Sequence, residues 1–173
     1  MRKKGSWLEK NPALFARVVE IIFGVVWGID GAFKFIPGVV QAFPQLLQTA
    51  AAGQPAWLAW WFSFWSTAAA GNAALFVYSI GLLELALSFS LIFGFARRIG
   101  YSGGFVLSLL IWSVPEGFGG PYGPGATDIG TGIIYALAFL MLIALNVAYG
   151  SHKMSADNLL SRKFRRWRKI AAF

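Results

Sequence analysis

Residues 73–98 read AALFVYSIGLLELALSFSLIFGFARR, an apolar run that holds one acidic residue and ends at two arginines. The apolar part, residues 73–95, is long enough to cross a bilayer, which requires about 20 residues. Glu84 lies near its middle, roughly 15 Å from either end at a rise of 1.5 Å per residue. The stretch therefore predicts a membrane-spanning helix with an ionisable group inside it, and Arg97 and Arg98 mark its cytoplasmic end.

Three further apolar segments accompany this one. The predicted spans are residues 13–36, 73–95, 99–114 and 129–149, and the third is short for a bilayer. A content of 57% hydrophobic and 17% aromatic residues is also too apolar for an ordinary soluble domain. The sequence predicts an all-α integral membrane protein built on a four-transmembrane-helix bundle.

The basic residues lie almost entirely on one side of this pattern. Of the 15 Lys and Arg residues, only Lys34 falls on the other side. Because basic loops stay cytoplasmic, both termini are predicted to be cytoplasmic. The net charge of +8 does not predict nucleic-acid binding, since the charges flank apolar spans, where they contact anionic lipid. The absence of cysteine excludes disulfides and thiolate metal sites.

The chain divides into three parts. Residues 1–12 form a basic cytoplasmic N-terminus, residues 13–149 form the membrane domain, and residues 150–173 form a cytoplasmic tail. In the tail, basic residues alternate with Leu160, Phe164 and Trp167, which predicts an amphipathic helix on the anionic lipid of the cytoplasmic leaflet.

An uncharged insertion, residues 37–72, follows the first span on the outer side. Pro44, Gly53 and Pro55 are expected to break it. Its segment PAWLAWWFSFWS, residues 55–66, places a set of aromatic residues along one helical face: Trp57, Trp61, Phe64 and Trp65. Such a helix either lies in the membrane interface, where indole rings are stable, or re-enters the bilayer. The sequence leaves both alternatives open.

Two local patterns in the first span have a direct physical interpretation. Gly24, Gly28 and Gly31 recur at spacings of four and three, which lets another helix approach closely. Asp30 and Lys34 are spaced i, i+4, so the two side chains are expected to pair on one helix face.

The stretch PEGFGGPYGPGATDIGTG, residues 115–132, joins the last two spans. Its Gly and Pro residues exclude a helix and leave many backbone N–H groups unshielded. It is either a tight connector or a cradle for a polar headgroup, and the flanking Glu116, Tyr122 and Asp128 favour the cradle. Thr127 and Asp128 are candidate N-cap residues for the last span.

An ionisable group in a membrane costs about 2.5–3.5 kcal/mol on insertion scales, which makes Glu84 a candidate site residue. Either it pairs with an inward-facing partner, or it is protonated and hydrogen-bonds across helices, or it serves as a proton acceptor or a polar ligand for a bound molecule. Glu116 and Asp128 would converge if the loop folds back, and they join Glu84 as candidate catalytic acids. The candidate substrate-binding residues are Asp30, Lys34, Tyr122, Tyr135 and Trp112.

These residues resemble a known family. Arg17, Gly24, Gly31 and Lys34 in the first span, Glu84 in a helix that ends at Gly94 and Arg97–Arg98, and the loop of residues 115–132 are similar to the DoxX/DoxD family. The long insertion resembles DoxD, the membrane subunit of thiosulfate:quinone oxidoreductase. The resemblance implies oxidation of thiosulfate to tetrathionate, electron transfer to membrane quinone, and a small DoxA-like partner subunit.

Three functions remain open from the sequence. The first is a DoxD-like subunit of a quinone-linked oxidoreductase, with its polar site in the outer half of the bundle. The second is a non-catalytic subunit of a larger respiratory or photosynthetic membrane complex, docked through residues 57–65. The third is a small-anion transporter in which Glu84 couples transport to protons.

Overall fold

Four long helices form the body of the protein in this computed structural model, which describes residues 11–122, 128–150 and 153–171. The described residues contain no β-strand. Most of the predicted basic N-terminus, and also Thr127, lie outside the described residues. The helices are α1 (Pro12–Phe33), α2 (Pro37–Ala51), α3 (Ala59–Ala70), α4 (Ala73–Phe93), α5 (Arg97–Ser113), α6 (Thr131–Tyr149), α7 (Ala156–Lys163) and α8 (Arg168–Ala171).

The long helices α1, α4, α5 and α6 run up, down, up and down. Near the start of α1, the Arg17 guanidinium donates to the carbonyls of Leu91 and Ile92 at the end of α4. Arg97 at the start of α5 and Asn146 near the end of α6 line a small cavity together with Arg17. These ends therefore meet at one end of the bundle, called the basic end below. The opposite end, which carries the segment between α5 and α6, is the loop end.

Length and composition indicate a multi-pass membrane protein. Among the described helices, α1, α4 and α6 are long and apolar enough to cross a membrane. Helix α5 has 17 residues and falls short of that length, as the sequence predicted for the third span. Outward-facing side chains are apolar and exposed, for example Ile22 (60%), Leu82 (60%) and Met141 (62%). An apolar face of this extent requires a nonaqueous or protein neighbour.

Glycines set the close approach of α1 and α4. A Cβ added to Gly28 would lie 2.7 Å from Ser88 Oγ, and one added to Gly31 would lie 3.0 Å from Glu84 Cβ. Gly24 is equally tight against Leu91. The predicted helix contact at the glycines of the first span is confirmed, and its partner is α4.

Glycines also set the close approach of α5 and α6, and Gly104 is one of them. A Cβ added to Gly104 would lie 2.2 Å from the ring of Phe139, which is fully buried, whereas one added to Gly103 would meet nothing within 4 Å. We expect Gly104→Ala to lower the free energy of unfolding by about 1–3 kcal/mol through overpacking. Gly103→Ala should be neutral or stabilising by about 0.5–1 kcal/mol, because alanine restricts the unfolded chain. Denaturant titration of both variants in detergent tests this, and equal effects at the two positions would contradict it.

Pro44 does not break the insertion as the sequence predicted. It lies inside α2, which runs from Pro37 to Ala51. Phe43, Leu47 and Ala50 recur along one face of α2 and are buried against the rest of the protein. Tertiary packing of this apolar face stabilises the helix across the proline, since packing contributes more to helix stability than local propensity.

The aromatic residues of the insertion do not share one face as predicted. Trp61 and Trp65 pack inward, and Trp61 Nε1 donates to the Ser113 carbonyl at 3.0 Å. Trp57 and Phe64 are 71% and 59% exposed. Trp57 belongs to a separate 3₁₀ turn that precedes α3, so the helical phase assumed from the sequence is not continuous. Whether this segment lies in the interface or re-enters the bilayer stays a prediction.

The C-terminal tail is not the continuous amphipathic helix that the sequence predicted. Helix α7 ends at Lys163, Phe164 is extended, and a 3₁₀ turn leads into α8. The tail folds back because the fully buried Asp157 carboxylate accepts from Ala96 N at 2.8 Å and from Trp167 Nε1 at 2.8 Å. Part of the tail is therefore held against the basic end of the bundle, and its predicted contact with anionic lipid stays a prediction.

Candidate ligand site at the loop end

Three charged side chains meet where α1 ends beside α4. Lys34 Nζ lies 3.0 Å from Asp30 Oδ1 and 3.2 Å from Glu84 Oε2. The predicted i, i+4 pairing of Asp30 and Lys34 is confirmed. Gly81 of α4 makes the wider contact possible, because a Cβ there would lie 2.8 Å from Lys34 Cβ. The close helix packing thus brings the lysine to Glu84.

The Glu84 side chain is fully buried, and its carboxylate oxygens do not form the hydrogen bonds that they could accept. Its ion pair with Lys34 is not aligned as a hydrogen bond, and neither carboxylate oxygen accepts a hydrogen bond from the described residues. Buried polar groups in native proteins nearly always have partners, since an unpaired carboxylate is costly in an apolar environment. The Glu84 carboxyl group therefore has unused capacity for a proton or a polar ligand.

A cavity of about 470 Å³ opens onto these charges, and we call it the polar cavity. Asp30, Lys34, Glu84 and Glu116 line it, and apolar residues of α2, α4 and α5 complete its wall. The volume lies within the range of about 300–1,000 Å³ typical of small-molecule sites. Four of the residues predicted from the sequence are thus brought together at one place.

The charge balance of the polar cavity restricts its ligands. Three carboxylates line it with one ammonium group, and that ammonium already lies within ion-pair distance of two of them. An anion would meet more negative than positive charge here. A neutral molecule with carbonyl or hydroxyl oxygens suits the lining better, because Lys34 can donate to a carbonyl and the carboxylates can accept from a hydroxyl.

Glu116 and Asp128 both accept hydrogen bonds from backbone N–H groups at the start of α6. Asp128 does not line the polar cavity. Glu116 Oε2 accepts from Gly132 N at 2.8 Å, and Asp128 Oδ1 accepts from Gly130 N at 2.7 Å. The predicted N-cap at Asp128 is wrong: the N-cap of α6 is Gly130, with φ 89°. Glycine accepts this left-handed φ without strain but has no side-chain oxygen, so Glu116 supplies the acceptor from across the loop.

Two predicted substrate contacts serve the loop itself. Trp112 Nε1 donates to the Ile129 carbonyl at 2.8 Å, and its ring meets Phe118 edge to face at 5.2 Å between centroids. Tyr122 is 62% exposed, and its hydroxyl donates to the Phe118 carbonyl. Neither ring lines the polar cavity. Of the loop predicted to form a cradle, residues 115–132, residues 123–127 lie outside the described residues, and the cradle stays a prediction.

Tyr135 borders the site without lining the polar cavity. Its ring packs against Phe23 and Trp27, with centroid distances of 5.3 and 5.5 Å. It lies close enough to Asp30 and Glu116 for electrostatic interaction. The structure therefore makes Tyr135 part of the aromatic core beside the charges.

Sequence reasoning missed a second buried charge cluster at the basic end. Arg17 pairs with Glu20 at 2.7 Å, and Arg97 Nε lies 3.2 Å from Asp157 Oδ2, with all four side chains buried. The sequence predicts Arg97 to be an orientation signal in contact with lipid headgroups, not a buried ion-pair partner. The signal available in the sequence for Asp157 is that it is a lone acidic residue in a basic tail. That signal does not identify its partner, Arg97, which lies sixty residues earlier in the chain.

Comparison of the chain with protein-family models, with curated proteins and with solved structures finds no match. The described residues also contain no group of three or more acidic or histidine side chains arranged to hold a metal ion.

Proposed function

We propose that this chain is a multi-pass membrane subunit that binds a quinone headgroup in the polar cavity. The observation that carries the proposal is the fully buried Glu84, whose carboxylate oxygens lack hydrogen bonds from the described residues and border a cavity that is otherwise mostly apolar. A buried ionisable group within a spanning helix is a functional-site candidate by default. The resemblance to DoxD points to the same class of ligand.

The residues present fit a quinone ring. Lys34 can donate a hydrogen bond to a ring carbonyl, and Glu84 can hold a proton and donate it to a carbonyl oxygen. Quinone accepts two electrons and two protons when it is reduced to quinol. Glu84 and Glu116, two of the three carboxylates on the wall of the polar cavity, would hold these protons. The apolar remainder of the wall excludes water from the ring.

In the enzyme that DoxD belongs to, the electrons come from thiosulfate: two thiosulfate ions give one tetrathionate and two electrons. The excess of carboxylates in the polar cavity disfavours thiosulfate there, because like charges in a poorly solvated site repel strongly. We therefore place the sulfur chemistry on a DoxA-like partner or at its junction with this chain. The proposed location is a prokaryotic plasma membrane.

Binding of a quinone without a tail tests the proposal. We expect 2,3-dimethoxy-5-methyl-1,4-benzoquinone to bind the purified protein saturably, as measured by quenching of tryptophan fluorescence. Glu84→Leu should weaken binding about 2- to 10-fold, since a hydrogen bond from the protonated carboxyl group to a ring carbonyl joins two neutral groups and contributes about 0.5–1.5 kcal/mol. Asp128→Asn is the matched control, because Asp128 lies outside the polar cavity.

Two results would reject quinone binding in the polar cavity. One is the absence of saturable binding to the native protein. The other is an unchanged affinity in Glu84→Leu, provided that the variant elutes as a monodisperse species like the native protein.

A specific observation also favours the second function, an accessory subunit of a larger complex. Trp57 (71%), Trp60 (66%) and Phe64 (59%) form an exposed aromatic surface on and beside α3. Exposed aromatic residues are typical of protein interfaces. Gentle purification followed by mass spectrometry tests this, with Trp60→Ser expected to release any large subunit that co-purifies in stoichiometric amounts.

A further inference from the structure

A groove of about 1160 Å³ lies between α4 and α5, and we call it the lateral groove. The two helices touch at its basic end, where a Cβ added to Gly100 would lie 2.2 Å from Ser90 Oγ. A Cβ added to Gly103, three residues further along α5, would meet nothing within 4 Å. The gap between the helices therefore opens just beyond Gly100. The lateral groove shares no lining residue with the polar cavity, so it is a separate site.

The lining of the lateral groove is almost entirely apolar over most of its length. Leu83, Ala86 and Phe89 of α4 and Val106 of α5 line it, and all four side chains are exposed. An exposed apolar surface of this size requires a neighbour that is not water. The groove therefore offers van der Waals contacts from two helices to a hydrocarbon chain.

Two cations stand together at the basic end of the lateral groove. Arg98 of α5 and Lys169 of α8 line it there, and among the described residues no acidic side chain lines it. The Arg98 guanidinium donates to the Lys169 carbonyl at 3.5 Å, and Trp167 packs on Phe95 with 5.0 Å between ring centroids. The folded-back tail thus holds Lys169 beside Arg98. The lateral groove is positive at one end and uncharged along the rest.

The length of the lateral groove matches one leaflet of a bilayer. Its lining on α5 extends from Arg98 to Leu110, which is about 18 Å at a rise of 1.5 Å per residue. The hydrocarbon core of a bilayer is about 30 Å thick, so one leaflet contributes about 15 Å. A transmembrane helix of a partner would be nearly twice as long as the groove. The length therefore favours a lipid from the leaflet at the basic end.

We infer that the lateral groove binds one phospholipid with an anionic headgroup. Its phosphate lies at Arg98 and Lys169, and an acyl chain lies along the apolar lining towards Leu110. Basic pockets between membrane helices bind anionic headgroups in this way. The inference goes beyond a general attraction of the basic tail to the membrane surface, because it assigns one lipid to one place. It does not depend on the proposed quinone site.

The headgroup is tested by adding phosphatidylglycerol or phosphatidylethanolamine with identical acyl chains to delipidated protein and counting bound lipids by native mass spectrometry. We expect one phosphatidylglycerol to bind more tightly than any further copy. Lys169→Gln should weaken its binding about fivefold, the effect of one basic residue near an anionic headgroup. The zwitterionic lipid should bind less tightly to the native protein and respond less to Lys169→Gln. Arg162→Gln is the matched control, since Arg162 is an exposed cation of the same tail outside the groove.

The acyl chain is tested by filling the groove. Gly103→Leu should weaken phosphatidylglycerol binding about fivefold or more, because the leucine side chain takes the space of the chain and removes its contacts with both helices. Gly71→Leu is the matched control, since a Cβ at Gly71 also meets nothing within 4 Å and Gly71 lies outside the groove. Ala86→Leu, on the α4 wall, repeats the test if Gly103→Leu is not monodisperse.

Three results would overturn the inference. Equal loss of phosphatidylglycerol in Lys169→Gln and Arg162→Gln would mean a general attraction to the tail instead of a discrete site. Unchanged binding in Gly103→Leu and Ala86→Leu would mean that no chain occupies the groove. A dimer of the native chain that dissociates in Gly103→Leu, with lipid binding unchanged, would assign the lateral groove to a second copy of the protein.

Discussion

Replacing Asp157 with alanine should detach the C-terminal segment from the basic end and destabilise the start of α5. The Asp157 carboxylate accepts from Ala96 N at 2.8 Å, Arg97 N at 3.0 Å, Arg97 Nε at 3.2 Å and Trp167 Nε1 at 2.8 Å. Removing one partner of a buried ion pair costs about 3–5 kcal/mol, because the other charge stays buried without compensation. Arg97, which is 3% exposed, is that remaining charge.

Amide hydrogen exchange measures the loss of these hydrogen bonds at the backbone N–H groups of Ala96 and Arg97. The amides of Ala96 and Arg97 donate to Asp157 in the native protein, so they should exchange much faster in Asp157→Ala, and the unfolding temperature should fall. Asn158→Ala is the matched control on α7, one residue further along the helix. Native-like exchange at both amides in Asp157→Ala would show that the carboxylate does not hold the tail.

The long apolar helices could be predicted because apolar length is a local property of the sequence. The second predicted span, residues 73–95, corresponds to α4, Ala73–Phe93. The last span begins at Thr131 rather than near residue 129 because its N-cap is Gly130. The residues around Gly130 do not reveal this cap, because glycine has no side-chain acceptor and Glu116 supplies one from across the loop.

Features that depend on packing between distant segments could not be predicted. Pro44 stays within a helix because α2 has a partner for its buried face, and the sequence does not reveal that partner. The same holds for Trp61, which turns inward to the Ser113 carbonyl. A second cavity, lined mostly by apolar side chains, exists only because α2 and α3 pack beside α4 and α5.

Part of the candidate site could be predicted from the sequence. The i, i+4 spacing predicted the Asp30–Lys34 pair, and the rarity of acids in apolar spans singled out Glu84. Lys34 also reaches Glu84 because Gly31 of α1 and Gly81 of α4 let the two helices approach closely. These glycines are fifty residues apart in the sequence. Trp112 and Tyr122 were chosen by residue type, and residue type does not tell whether a side chain faces a cavity or its own loop.

Removing Lys34 should destabilise the protein more than removing Lys34 and Glu84 together. In Lys34→Met the Glu84 carboxyl group stays fully buried without its cation, with an expected loss of about 3 kcal/mol in the free energy of unfolding. This is the low end of the range for a buried pair, because the Lys34 side chain keeps 22% exposure. Asp30 loses the same partner at little cost, since its side chain is 43% exposed.

The double variant Lys34→Met/Glu84→Gln removes the buried charge and should recover about 1–3 kcal/mol of that loss, the range of coupling energies for residues in contact. Denaturant titration of the native protein, both single variants and the double variant measures this coupling. Lys153→Met is the control for loss of a lysine, because Lys153 is exposed at the basic end. Additive effects of the two single substitutions would mean that Lys34 and Glu84 do not interact.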